Sequence, residues 1–195
     1  MRINEYGAEI VKELNQTLAL IAEEEASILA DHILRASKVF VAGAGRSGLM
    51  IRAFAMRMMQ MGIEVYVVGE TVTPNLGKED LFIIGSGSGE TRSLVPMAEK
   101  AKSLGGTVAI ITISPESTIG KMTDIIVRLP GSTKEQSGNG YKTIQPSGNG
   151  YKSIQPMGAL FEQTLLVFCD AVVLKLMESR QLDSATMYGR HANLE

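Results

Sequence analysis

Lys38-Val39-Phe40-Val41-Ala42-Gly43-Ala44-Gly45-Arg46-Ser47-Gly48 carries an apolar run into a turn of glycine and hydroxyl residues, and Leu81-Phe82-Ile83-Ile84-Gly85-Ser86-Gly87-Ser88-Gly89-Glu90-Thr91 does so again. In both, a strand-like run ends in small residues and then gives way to a helix-like period. Small residues let a backbone approach an oxyanion closely, and the free N–H groups at a helix start favour negative charge. One such turn is ordinary. Two, holding the hydroxyls of Ser47, Ser86, Ser88 and Thr91 and the guanidinium of Arg46, predict a site for a phosphorylated polar ligand.

Outward from these turns the pattern is an alternation. Candidate strands lie at 39–42, 64–68, 81–84, 107–112 and 125–129, with candidate helices at 47–61, 90–104 and 117–121 between them. Strands this apolar are covered on both faces, hence parallel with helices on each side. Leu104-Gly105-Gly106 reads as a helix stop, and a last long helix spans 158–179. Before the first strand, Ile3, Tyr6, Ile10, Leu14, Leu18 and Ile21 recur at helical spacing. Glu23-Glu24-Glu25 is expected to break or turn that helix, and a second runs over 26–36, where His32 reads as a surface or satisfied residue. The expected architecture is one α/β domain over 1–195, a three-layer αβα fold on a five-stranded parallel sheet, with 1–36 as N-terminal helices.

The bulk numbers exclude several classes of function. A net charge of −2 and a pI near 5.8 give no polyanion-binding surface, so no nucleic-acid partner is expected. No apolar run is long enough to span a bilayer and the first residues lack a signal-peptide core, so no membrane partner and a cytoplasmic location are expected. The lone Cys169, inside Leu165-Leu166-Val167-Phe168-Cys169, reads as a packed thiol rather than a nucleophile. With no Trp and 11 Met, bulk rests on aliphatics. Met56-Arg57-Met58-Met59-Gln60-Met61 is either a helix face packed on the core or a soft subunit interface.

One segment is irregular. Ser137-Gly138-Asn139-Gly140-Tyr141-Lys142-Thr143-Ile144-Gln145-Pro146 is repeated at once as Ser147-Gly148-Asn149-Gly150-Tyr151-Lys152-Ser153-Ile154-Gln155-Pro156. Its glycines, asparagines and prolines make 137–156 a long loop, and an extra copy in such a loop costs little closure entropy. Lys142 and Lys152 either reach a phosphate or stay solvated.

Residues 43–48 also match G-x-G-x-x-G, and Glu70 falls where a ribose-binding carboxylate belongs in a dinucleotide fold. Arg46 and Ser47 instead suit contact with an anion, and no length remains for a separate substrate domain. The second turn lacks the lysine of a Walker loop. Its hydroxyls either cap a helix or bind a ligand, and their place beside the first turn, where parallel sheets bind ligands, favours the ligand.

Ala42-Gly43-Ala44-Gly45-Arg46-Ser47-Gly48-Leu49-Met50, Ile83-Ile84-Gly85-Ser86-Gly87-Ser88-Gly89-Glu90-Thr91, the stretches at 54–62 and 153–163, and the terminal Arg190-His191-Ala192-Asn193-Leu194-Glu195 resemble the sugar isomerase (SIS) domain family from end to end. The departure is the doubled decapeptide, single in the family pattern. The resemblance implies a flavodoxin-like subunit in a homotetramer, with sites near subunit interfaces and neither metal nor organic cofactor. It implies interconversion of D-arabino-3-hexulose 6-phosphate and fructose 6-phosphate in the ribulose monophosphate pathway of formaldehyde assimilation, with a 3-hexulose-6-phosphate synthase as pathway partner. It assigns sugar-phosphate contacts to Ser47, Ser86, Gly87, Ser88, Gly89, Glu90 and Thr91, and proton transfer to Glu162.

Moving a carbonyl from carbon 3 to carbon 2 requires one base that takes a proton from carbon 2 and returns it to carbon 3 through a cis-enediol. A carboxylate screened from water does both transfers. Glu162, in apolar company near the start of the last helix, is the candidate, against the plainer reading of a first-turn glutamate. Arg46 or loop amides would steady the enediolate. His191 is the candidate second acid–base group; five residues from the end, it either folds over a site, its own or a neighbour's, or belongs to a disordered tail. A phosphosugar-sensing module would keep the two turns and lack the base, and an isomerase of another phosphosugar remains the nearer alternative.

Overall fold

The five apolar runs assemble side by side as parallel strands in a computed structural model of the chain, which describes residues 1–131 and 153–194. The strands are β1 (Val39–Gly43), β2 (Val65–Val67), β3 (Leu81–Gly85), β4 (Thr107–Thr112) and β5 (Ile125–Arg128), in the order β2-β1-β3-β4-β5. The helices are α1 (Ile3–Leu18), α2 (Glu23–Arg35), α3 (Gly45–Gln60), α4 (Val95–Ser103), α5 (Thr118–Met122), α6 (Ala159–Ser179) and α7 (Ser184–Tyr188).

Alternation along each strand sorts the side chains into two cores. Val39, Val41, Leu81, Ile83, Ala109 and Ile111 pack against Leu29 and Ile33 of α2, Ile51, Phe54 and Met58 of α3, and Leu165, Phe168 and Val172 of α6. On the opposite face Phe40, Phe82, Ile84, Val108 and Ile110 meet Ala98 and Ala101 of α4 and Ile119 of α5. The result is the three-layer αβα architecture expected. Cys169 lies wholly buried in the first core, and burial pushes its thiol pKa upward, as a packed thiol requires. The Met-rich stretch divides: Met58 and Met61 are buried, whereas Met56 and Met59 are exposed.

Three boundaries differ from the sequence reading. Glu23, Glu24 and Glu25 do not break a helix; they form the first turn of α2, where negative charge complements the helix dipole. Helix α4 starts at Val95, with Pro96 in its first turn, instead of at residue 90, because the hydroxyls of 86–91 bond within their own loop. Helix α7, capped by Asp183 Oδ1 accepting the Thr186 amide at 2.8 Å, has no counterpart among the candidate helices. Of the doubled segment, 137–152 with Lys142 and Lys152 lies outside the described residues, and the end of the second copy, 153–156, lies within them.

The sheet order brings the two turns together. The crossover from β1 leads out to the edge strand β2, that from β3 leads the other way to β4, and β1 and β3 are neighbours. At such a switch point the carboxyl ends of the strands open into a crevice. Gly43 and Gly85 are register partners, so both turns leave the sheet at one level. The start of α3 sits directly on β1: a Cβ on Gly48 would lie 2.6 Å from the Gly43 carbonyl oxygen.

Because that neighbour is backbone, Gly48→Ala is expected to cost about 1–3 kcal/mol by overpacking, read as a lower urea midpoint at unchanged slope. A wild-type midpoint would show that the turn yields freely.

Candidate active site

A cleft of about 730 Å³ opens over the β1–β3 switch point. Its floor is the first turn, with Ala44, Gly45 and Ser47, and the second, with Gly85, Ser86, Gly87, Ser88, Glu90 and Thr91. A third turn, after β4, adds Ser114, Glu116 and Ser117, and the start of α6 closes one side with Gly158, Phe161 and Glu162. The sequence reading missed the third turn, although Ser114, Glu116 and Ser117 directly after an apolar strand repeat the signal of the other two.

The two glycine turns act differently. In the first, Gly45 has φ +56° and opens α3, whose first-turn amides at Gly45, Arg46 and Ser47 have no acceptor among the described residues. In the second, the hydroxyls shape the loop itself. Ser86 Oγ accepts the Gly89 amide at 3.2 Å and lies 3.1 Å from Thr91 Oγ1, and Ser88 Oγ accepts the Glu90 amide at 3.2 Å. That leaves the amides of Gly87, Ser88 and Thr91 without acceptors among the described residues. Gly89 does not line the cleft; at φ +63° it packs so tightly that a Cβ would collide with Ser117 Oγ. Concave sets of unpaired amides, at a helix start in the first turn and in a closed loop in the second, suit an oxyanion.

Glu90 stands at the rim, and its Oε1 accepts the Thr118 amide of α5 at 2.7 Å. That bond, aided by the charge of Lys121, holds its carboxyl below the usual glutamate range. It fastens the second turn to the third.

Across the cleft, Glu162 is only 4 % exposed. Arg46 Nε donates to its Oε2 at 2.5 Å, while the arginine side chain stays 61 % exposed. A charge-assisted bond of this kind is what permits a buried carboxylate in apolar company. One oxygen of Glu162 is thereby fixed, and the carboxylate faces the cleft beside the amide-lined floor. The site can hold an anion at one end and move a proton at the other.

His191 lies elsewhere in this subunit. It lines a separate hollow with Arg57, Asp170 and Tyr188, and its ring stacks on Tyr188 at 6.3 Å between centroids. Along α6, Asp170 is eight residues beyond Glu162, roughly 12 Å at 1.5 Å per residue. Within one chain, then, the fold does not bring His191 to Glu162. Glu70 also stays out of the cleft and pairs with Arg52, which removes the acidic partner of the dinucleotide reading.

The SIS domain model matches residues 32–167. The chain belongs to the SIS domain family. Like it are a 3-hexulose-6-phosphate isomerase of Bacillus subtilis (strain 168), 59 % identical over 195 residues with all of both chains covered, and a 3-hexulose-6-phosphate isomerase of Mycobacterium gastri, 38 % identical over 183 residues, 94 % of this chain and 86 % of that one. Among solved structures, a Methanococcus jannaschii protein whose structure infers a molecular function of 3-hexulose-6-phosphate isomerase superposes with TM-score 0.80 at 31 % identity, over 98 % of this chain and 99 % of that one. In this SIS domain no helix of the described residues is long and apolar enough to cross a membrane.

Arg46→Ala strands the buried Glu162 carboxylate. It is expected to cost about 1–2 kcal/mol, less than the 3–5 kcal/mol of a fully buried pair because the guanidinium faces water. Adding Glu162→Gln should recover most of the loss in urea unfolding, since a neutral amide needs no cation; strict additivity of the two changes would show that the pair is not coupled.

Proposed function

We propose that this SIS domain is a 3-hexulose-6-phosphate isomerase and that Glu162 is its base. The observation that carries the reading is one buried carboxylate facing a cleft floored by unpaired amides, in a chain 59 % identical end to end to an isomerase of that name.

The phosphate of 3-hexulose 6-phosphate sits on the amides of the first two turns, with Ser47, Ser86, Ser88 and Thr91 around it. This fixes the sugar chain across the cleft toward α6. Glu162 takes the proton from carbon 2; the electrons move to the carbon 3 carbonyl, giving a cis-enediolate. The same carboxyl then returns the proton to carbon 3 as the carbonyl re-forms at carbon 2, giving fructose 6-phosphate. Arg46, bound to Glu162 and with its side chain 61 % exposed, offers its remaining N–H groups to the enediolate oxygen. Preorganised donors of this type stabilise charge that develops in the transition state.

The hydroxyl proton needs a second group, and His191 is assigned that role in a neighbouring subunit's site. The reading therefore includes a homotetramer. The exposed Leu49, Met56 and Met59 lie on one stripe of α3 and supply an apolar face for such contacts. A synthase making 3-hexulose 6-phosphate is the natural pathway partner.

Glu162→Gln is expected to lower kcat by roughly 10²–10⁴-fold, the range for losing a general base, in an assay coupled to fructose 6-phosphate formation, while fructose 6-phosphate still binds within about threefold of wild type by calorimetry. A Glu162→Gln enzyme turning over at the wild-type rate would remove Glu162 as the base.

A further inference from the structure

Glu13 is a second buried carboxylate. It lies on α1, 2 % exposed, with no basic side chain bonded to it among the described residues. Three donors from one short segment converge on it instead. Ser153 Oγ donates to Oε2 at 2.6 Å, the Ile154 amide to Oε1 at 2.8 Å, and Gln155 Nε2 to Oε2 at 2.9 Å. Ser153 Oγ also accepts the Gln155 amide at 2.9 Å, which turns the segment around the carboxylate. Gln155 is itself buried.

The start of helix α6 comes directly after this anchor in the chain. Pro156 accepts the Ala159 amide at 3.0 Å, Met157 and Gly158 both take left-handed backbone conformations at φ +57° and +77°, and Glu162 lies in the first turn of α6. A methionine in the left-handed region is unfavourable by itself and persists only where its surroundings over-determine it. The surroundings here are the Glu13 cradle on one side and the packed body of α6 on the other. The amide floor of the cleft stands on β1 and β3 and makes no bond to this segment among the described residues.

We infer that Glu13 is a positioning residue for the reaction: by gripping Ser153, Ile154 and Gln155 it fixes the entry of α6, and so the place of the Glu162 carboxylate over the cleft, without touching substrate. This rests on the isomerase reading for its kinetic consequence and on the geometry alone for its structural one. Three hydrogen bonds to a buried charge are strong enough to hold such a segment, and a small misplacement of a base is costly in rate. The phosphate floor, carried by the sheet, does not depend on Glu13.

The test is Glu13→Ala, with Glu13→Gln and the swapped pair Glu13→Gln/Gln155→Glu, measured by steady-state kinetics and by hydrogen exchange. Expected for Glu13→Ala is a kcat lowered tenfold or more with KM within threefold, and amide exchange across 157–168 at least tenfold faster while 81–91 exchanges as in wild type. The swap, which keeps one carboxylate and one amide in the cradle, should restore kcat to within threefold. Wild-type kcat and wild-type exchange at 157–168 in Glu13→Ala would overturn the inference. So would faster exchange throughout the sheet, which marks general loosening, or a loss of rate with no change at 157–168. If Glu13→Ala does not fold, Glu13→Gln and the swap decide by the same criteria. If the wild-type protein fails to turn over 3-hexulose 6-phosphate, the isomerase reading falls, and the local exchange alone confirms or refutes the grip on α6.

Discussion

The ion pair between Arg46 and Glu162 ties the starts of two helices, α3 and α6, that pack together on one face of the sheet. Arg46 is in the first turn of α3 and Glu162 in the first turn of α6, 116 residues apart. A carboxylate as buried as that of Glu162 is unfavourable unless a cation or donors compensate it. Among the described residues, the cation bonded to it is Arg46, in the first turn of α3. The close seat of Gly48 on Gly43 therefore matters beyond packing, because it sets the start of α3, which carries Arg46, directly on the end of β1.

The two ends of the cleft are built from different parts of the chain. In the proposed reading the anion end is backbone, set by the parallel register of β1 and β3 and by serine hydroxyls that bond within their own loop. Backbone amides held this way cost no reorganisation when a charge arrives. In the proposed reading the reacting end is the Glu162 side chain on α6, a helix entered from the segment 153–155 that Glu13 holds.

Much of this is legible in the sequence, for identifiable reasons. Each strand reads within two residues at either end, because a parallel strand covered on both faces is apolar along its whole length. The two turns read from glycines that backbone contacts explain. Helix α4 reads too early because Ser86, Ser88, Glu90 and Thr91 look like a helix start, whereas their hydroxyls close a loop first. Glu162 stands out through the family resemblance; a first-turn glutamate carries no sign of burial by itself. Glu13 leaves a fainter sign. It falls on the stripe of Tyr6, Ile10 and Thr17, where an acidic residue interrupts the apolar face of α1, but its partners are 140 to 142 residues away. For His191, the sequence leaves open which subunit's site it would serve, and the single chain sets it beside Tyr188 and away from Glu162.

The most direct test of Glu162 as the base follows the proton and not the product. Fructose 6-phosphate is incubated with the protein in deuterium oxide and its ring protons are followed by NMR. With Glu162 as the base, the carbon 3 proton signal is lost with carbon 1 untouched, or 3-hexulose 6-phosphate accumulates, and neither happens in Glu162→Gln. Exchange at carbon 1, or carbon 3 exchange that survives Glu162→Gln at the wild-type rate, would contradict that role.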